Sequence, residues 1–252
     1  MDRRAAIERL RTKLRTGGTT IGSWMQIPHA SIAEIMGQAG YDWIAFDLEH
    51  GSITVHQLPD LCRAVELGDT LPLVRLAQAR PKDCKQALDA GAGGVIAPMI
   101  SHARQLIDLR DACRWPPAGS RGVGFSRANL FGKNFAAYRT EAQAPMLVAM
   151  IESKSALPQL SEILAVEGLD AVLIGPYDLS ASMGLTAQFD APEFVRAIAE
   201  IRECTAEHRV PCGVHVVTPS PADLEERQRE GFKFIAYGTD ALFLMHGSRR
   251  SG

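Results

Sequence analysis

The sequence predicts an α/β fold, a single (β/α)8 TIM barrel, on three observations. Short apolar runs alternate with amphipathic segments of helical length along all 252 residues. Within the runs, consecutive positions are apolar rather than every second one, the pattern of parallel strands covered on both faces. No G-x-G-x-x-G follows the first run, so the competing doubly wound sheet lacks its phosphate-binding turn. Barrels of this length commonly form one domain. Residues 1–252 are therefore expected to form one barrel domain with an N-terminal helix and one long connection at about 114–145.

Taken in order, residues 2–15 read as an amphipathic helix, and Gly17-Gly18 turns into a strand at 20–25. A helix from Ser31 to about Gln38 ends before Gly40, and the strand 43–47 follows. Residues 55–67 read as a helix stopped by Gly68, and 71–76 as a strand carrying Arg75. Pro81 opens the next helix at its first turn, where the missing N–H costs nothing, and Gly91 closes it. A strand at 94–98 and a helix at 102–113 lead into the Gly-, Pro- and Arg-rich stretch 114–145, which is too long for an unstructured loop and is expected to be functional or partly helical. Then come strand 146–151, helix 156–166, strand 171–175, a loop and turn over Pro176-Tyr-Asp-Leu-Ser180, and a helix from Pro192 to about His208. Strand 210–217, helix 221–230, strand 232–237 and a short final helix complete eight strand–helix units.

Composition is that of an ordinary globular protein: 46% hydrophobic, 22% charged, formal net charge −2. Neither a nucleic-acid nor a membrane partner is indicated, because there is no basic excess and no apolar run of spanning length. The N-terminus lacks the apolar stretch of a signal peptide, so a cytoplasmic location is expected. Cys62, Cys84, Cys113, Cys204 and Cys212 are odd in number, widely spaced and without a C-x-x-C, and read as unpaired, buried small apolar residues in a reducing compartment.

The chemistry gathers around Trp43-Ile-Ala-Phe-Asp47-Leu-Glu49-His50. In a strand, Trp43, Ala45, Asp47 and Glu49 share one face and Ile44, Phe46 and Leu48 the other, so the carboxylates follow the small-residue face. A barrel collects such groups at the C-terminal ends of its strands. Those ends supply Gln26, the Asp47/Glu49/His50 set, Arg75, Glu152, Asp178 and His215. Glu152 and Asp178 end adjacent strands, and two carboxylates on one rim repel unless a cation lies between them. All-oxygen ligands favour Mg²⁺ or Mn²⁺. The structural reading of the same pair is that Glu152 joins Lys154 or an arginine and Asp178 caps the following helix. Arg75 offers a planar fork to a carboxylate or keto oxygen, or forms an ion pair with Asp47 or Glu49.

The set Phe46-Asp47-Leu-Glu49-His50-Gly51, Pro72-Leu-Val-Arg75, Gly119-Ser-Arg121-Gly-Val-Gly124, Ile151-Glu152-Ser153 and Ile174-Gly-Pro-Tyr-Asp178-Leu-Ser-Ala-Ser-Met-Gly184 resembles the HpcH/HpaI family of class II, metal-dependent pyruvate aldolases, of the 4-hydroxy-2-oxoheptanedioate and 2-dehydro-3-deoxyglucarate aldolase type. The resemblance runs from about Gly17 to Leu244. It implies reversible aldol cleavage of a 4-hydroxy-2-oxo acid to pyruvate, or hydroxypyruvate, and an aldehyde, with oxaloacetate decarboxylation as a side activity. It implies a divalent metal, Mg²⁺ or Mn²⁺ with Co²⁺ also admitted, on Glu152 and Asp178, and Arg75 on the keto oxygen. It implies that the Gly175-Pro176-Tyr177-Asp178 segment holds the substrate carboxylate through the backbone amides of Tyr177 and Asp178, and that His50 is the base, acting directly or through a metal-bound water. It further implies Asp47 near the metal's water shell, Asp89 presented to the catalytic histidine by a neighbouring subunit, and a homo-oligomer, a hexamer built as a trimer of dimers. Read from the residues alone, Asp89 is a helix-end surface group. Leu48 and Tyr177 stand where many relatives carry smaller residues, and the chain stops soon after its eighth strand.

Three other readings stay open. A class I aldolase needs a desolvated lysine, and Lys154 alone lies near a strand end. A lyase acting on a CoA thioester of the malyl or citramalyl type needs a basic groove, for which only Arg121, Arg127 and Lys133 offer themselves. A non-catalytic barrel would bind a keto acid without turnover.

Overall fold

The computed structural model describes residues 1–249. Eight parallel strands close on one another in chain order. They are β1 (Thr20–Met25), β2 (Trp43–Asp47), β3 (Leu71–Arg75), β4 (Gly94–Ala97), β5 (Met146–Ile151), β6 (Ala171–Ile174), β7 (Cys212–Val216) and β8 (Phe234–Thr239). Around them run α1 (Arg3–Arg15), α2 (Ala30–Gly37), α3 (Leu58–Glu66), α4 (Pro81–Ala90), α5 (Ala103–Cys113), α6 (Phe135–Glu141), α7 (Leu160–Leu164), α8 (Pro176–Ser182), α9 (Pro192–Glu207), α10 (Pro221–Arg229) and α11 (Asp240–Gly247). The predicted (β/α)8 barrel is the fold observed.

Two apolar layers follow from the strand period. Trp43 and Ala45 join the barrel interior with Leu71, Leu73, Met150 and Leu173, while Ile44 and Phe46 join the outer layer beneath the helices. The interior is filled by stacked side chains rather than left as a pore. Trp43 stacks on Phe234 with ring centroids 4.4 Å apart, and Trp24 meets Trp43 edge-on at 6.3 Å. Gly22 makes this possible, because a Cβ there would lie 2.0 Å from the Trp43 ring. α1 plugs the barrel with Ala6, Ile7, Leu10 and Leu14, which occur at helical spacing and belong to the interior layer. Burying each leucine contributes roughly 1.5–3 kcal/mol. Arg11 fixes the plug by pairing with Asp170 at 2.7 Å.

The long connection is partly helical, as its length requires. A 3-10 segment (Arg127–Gly132) and α6 surround a small core of Trp115, Ala128, Tyr138 and Ala142. Two expectations are corrected. Pro176 to Ser180 is not a loop and turn but the start of α8, since Pro at the first helical position is pre-set for a helix and Gly175 supplies the extended N-cap. Cys84 and Cys113 are not unpaired: a disulfide joins them, with Cα atoms 5.8 Å apart. The pair links α4 to α5, whose contact depends on the fold and leaves no spacing motif in the chain. Among the described residues no helix is long and apolar enough to cross a membrane.

Candidate active site

Register decides what meets at the barrel mouth. Asp47 ends β2 and Arg75 ends β3 as direct partners in a parallel pair, so their side chains point the same way. Arg75 donates from Nε to Asp47 Oδ1 at 2.8 Å and from Nη2 to Oδ2 at 2.6 Å. Asp47 is fully buried, and its remaining lone pairs are taken as well. Oδ1 accepts the N–H groups of Glu49 (3.0 Å) and His50 (3.1 Å), and Oδ2 accepts Gln26 Nε2 (3.0 Å). Burial alone would raise this carboxyl, but the hydrogen bonds and charge of Arg75 outweigh it and hold the group below the ordinary aspartate range. The other face of Arg75 rests on Trp24, with the guanidinium 4.5 Å from the ring centroid. Arg75 is thus clamped between a carboxylate and an indole.

Three further carboxylates lie around this clamp. Glu49 approaches Arg75 Nη1 at 3.4 Å, yet its Oε2 is buried without a hydrogen-bond partner. Glu152, only 1% exposed, accepts the Met99 N–H on Oε1 at 2.6 Å. Met99 adopts a left-handed φ of 54° to deliver that N–H, a strained conformation for a residue with a side chain. Gly175 leaves the space Glu152 occupies, since a Cβ there would lie 2.5 Å from Oε2. Asp178 is exposed in the first turn of α8. Burial pushes Glu152 up to about 7; the Met99 N–H opposes this, and the charges of Glu49 and Asp178 add to it. Burial likewise raises Glu49.

With Asp47 neutralised by Arg75, the mouth is left with Glu49, Glu152 and Asp178 and no free cation of its own strands. A buried orphaned oxygen and mutually repelling carboxylates fit a divalent cation, and all-oxygen donors fit Mg²⁺ or Mn²⁺. Glu49, Glu152 and Asp178 do not bring three ligand atoms within 4.8 Å of one another; among the described residues Cys204, Glu207 and His208, at the C-terminal end of α9, alone do so. Two protein carboxylates with the rest from water and substrate is how Mg²⁺ is commonly held.

The predicted residues therefore converge, with one exception. His50, about half exposed, stands with Nε2 3.9 Å from Glu49 Oε2. A cavity of about 520 Å³ is lined by Gln26, His50, Arg75, the Gly175–Asp178 segment and His215. Asp89 is elsewhere, half-buried on α4 beside a second cavity that contains no strand-end residue. Two contributors were not anticipated. Asp240, at the start of α11, accepts the N–H groups of Gln26 (3.0 Å) and Ile27 (2.8 Å) and so fixes the turn after β1. Met99 orients Glu152 as described. Only Thr239-Asp240 at the eighth strand end signals the first, and nothing in the sequence signals the second.

The match to known proteins is decisive at the family level. Residues 20–247 fit the model of the HpcH/HpaI aldolase/citrate lyase family. The chain belongs to the HpcH/HpaI aldolase/citrate lyase family. A hydroxypyruvate/pyruvate aldolase of Roseobacter denitrificans is 35% identical over 246 residues, covering 96% of this chain and 94% of the relative. A 2-keto-3-deoxy-L-rhamnonate aldolase of Escherichia coli K12 is 37% identical over 235 residues, covering 91% and 86%. A solved HpcH/HpaI family protein from Burkholderia cenocepacia superposes with a TM-score of 0.89 at 28% identity, with 96% of each chain covered. Membership makes this HpcH/HpaI protein an enzyme, a carbon–carbon lyase of the aldolase type.

One pH effect follows from the HpcH/HpaI mouth itself. Burial pushes the His215 imidazole down to about 4, against the Gly238 carbonyl that holds its N–H, with Arg75 and Asp47 acting in opposite directions. An unfolded histidine titrates near 6.5, so between about 6.5 and 4 the unfolded chain binds the extra proton. Stability is therefore full above pH 6.5 and is lost as pH falls through that window, on the order of 2 kcal/mol from this group. Tm measured from pH 7.5 to 4.5 is expected to fall less steeply in His215→Gln than in wild type; parallel profiles would refute the assignment.

Proposed function

We propose that this enzyme is a class II pyruvate aldolase: it makes or breaks the bond between pyruvate, or hydroxypyruvate, and an aldehyde, using Mg²⁺ or Mn²⁺ held by Glu152 and Asp178. The observation that carries the reading is the pairing at the mouth. A clamped guanidinium adjoins carboxylates that burial leaves short of a counter-charge. The hydroxypyruvate/pyruvate and rhamnonate aldolase names of the relatives support the substrate class.

In this mechanism Arg75, which Asp47 and Trp24 hold in place, donates to the keto oxygen. The N–H groups of Tyr177 and Asp178, in the first turn of α8, have no intrahelical acceptor and receive the substrate carboxylate. His50, steered by its own N–H on Asp47 and by Glu49, removes the methyl proton to form the enolate, and returns it in the reverse direction. A bound divalent cation supplies Lewis-acid stabilisation of the charge that develops on the keto oxygen. Asp47 acts by positioning, because every one of its lone pairs is engaged. Oxaloacetate decarboxylation passes through the same enolate. Asp89 reaches such a site only from a second copy of the chain, and the exposed Phe125 and Phe131 of the long connection support a contact between copies.

Two of the competing readings find little support in these residues. Of the three cations a CoA lyase would draw on, Arg121 and Arg127 are 2% and 9% exposed, and Lys133 alone is exposed. Arg121 donates to Tyr138 through Nη2, with Nε and Nη1 left without a partner, and Arg127 pairs with Glu66. Lys154 is exposed rather than desolvated. The test is condensation of hydroxypyruvate or pyruvate with a small aldehyde. Product formation is expected to stop with EDTA and return with Mg²⁺ or Mn²⁺. A borohydride-trapped covalent adduct of pyruvate would replace the metal by a lysine Schiff base.

A further inference from the structure

The mechanism leaves one side chain at the mouth without a task. His215 lies on the interior face of β7, where register sets it beside Ala236 of β8, and it lines the same cavity as His50, Arg75 and Asp178. Its ring is fixed on two sides. Nε2 lies 3.3 Å from the Gly238 carbonyl oxygen. A carbonyl only accepts, so Nε2 carries the hydrogen and Nδ1 carries the lone pair. Among the described residues Nδ1 has no hydrogen-bond partner, and it is not among the buried orphaned atoms, so it stays accessible. The ring edge meets Trp24 at 6.0 Å between centroids, and the Trp24 face carries Arg75. His215 is thereby locked in a fixed relation to the group that grips the keto oxygen.

We propose that His215 is a specificity residue that accepts, on Nδ1, a hydrogen bond from a hydroxyl on the substrate's carbon chain. The assignment rests on the aldolase reading and names the chemistry its cavity selects. The imidazole suits the task because burial keeps it neutral at physiological pH, so the lone pair is available. An apolar residue in its place would leave such a hydroxyl unpaired in a partly desolvated cavity, whereas a substrate without the hydroxyl would lose nothing. Two sources offer the hydroxyl: that of hydroxypyruvate, and the one on the α-carbon of a hydroxyaldehyde.

Competition experiments separate them. One arm compares hydroxypyruvate with pyruvate against a common aldehyde; the other compares glycolaldehyde with acetaldehyde against pyruvate. In His215→Phe, and in His215→Leu should the larger ring disturb folding, the kcat/KM ratio of hydroxylated to plain substrate is expected to fall about tenfold in one arm. His215→Gln, which can donate to Gly238 and still present an oxygen, is expected to restore most of that ratio. Unchanged ratios in both arms, or a glutamine variant that falls as far as phenylalanine, would overturn the assignment. A wild-type enzyme that shows no methyl-proton exchange with pyruvate would overturn the aldolase reading and the assignment with it; exchange present with ratios unmoved would overturn the assignment alone.

Discussion

Glu152→Gln is expected to lower metal-dependent kcat/KM by about 1,000-fold or more while leaving the protein folded. The amide oxygen can still accept the Met99 N–H, and an amide occupies the space that Gly175 leaves. What disappears is the negative charge. That charge is costly in the free protein, since burial and the neighbouring Glu49 and Asp178 push the group up to about 7. The variant should therefore unfold at a temperature no lower than metal-free wild type. It should also lose the rise in Tm that Mg²⁺ or Mn²⁺ gives wild type, because a ligand stabilises only the state it binds. Calorimetry with and without metal separates the two effects. An undiminished metal-induced shift would remove Glu152 from the ligand set.

Asp47→Asn is expected to cost both stability and activity. Breaking a buried pair by removing one charge leaves the other uncompensated, at about 3 kcal/mol or more. The asparagine also cannot accept all five hydrogen bonds that the carboxylate takes from Arg75, Gln26, Glu49 and His50. Arg75 and the His50 loop lose their common anchor together, so kcat/KM should fall by about 100-fold or more through misplacement alone. Urea unfolding and steady-state kinetics read the two losses. A variant of normal stability with no activity would make Asp47 a reacting group instead of a positioning one.

The parts of this site that lie within one strand, or at the end of one, could be read from the chain. The alternation of Trp43, Ala45 and Asp47 against Ile44 and Phe46 placed the carboxylates inside the barrel, and the two apolar layers divide that way. Adjacent strand ends left Arg75 open to a substrate oxygen or to an ion pair with Asp47 or Glu49, and only the register selects Asp47 and makes the pair a bidentate clamp. Contacts that depend on barrel closure or on loop conformation left no local pattern. Asp240 reaches Gln26 and Ile27 because β8 pairs with β1 across more than two hundred residues, at |i−j| of 214 and 213. The Met99 N–H reaches Glu152 through a left-handed residue that is not glycine, so no residue type announces it. The Cys84–Cys113 disulfide depends on how α4 and α5 lie side by side, and α8 replaced a turn because Gly175-Pro176 serves either structure.

Exchange of the pyruvate methyl protons for deuterium, followed by NMR, tests the central claim most directly because it needs no aldehyde. Wild type with Mg²⁺ or Mn²⁺ is expected to exchange them, and EDTA or His50→Ala to abolish the exchange. Exchange that persists in EDTA, or that survives loss of His50, would contradict the account of a metal-assisted enolate formed by that base.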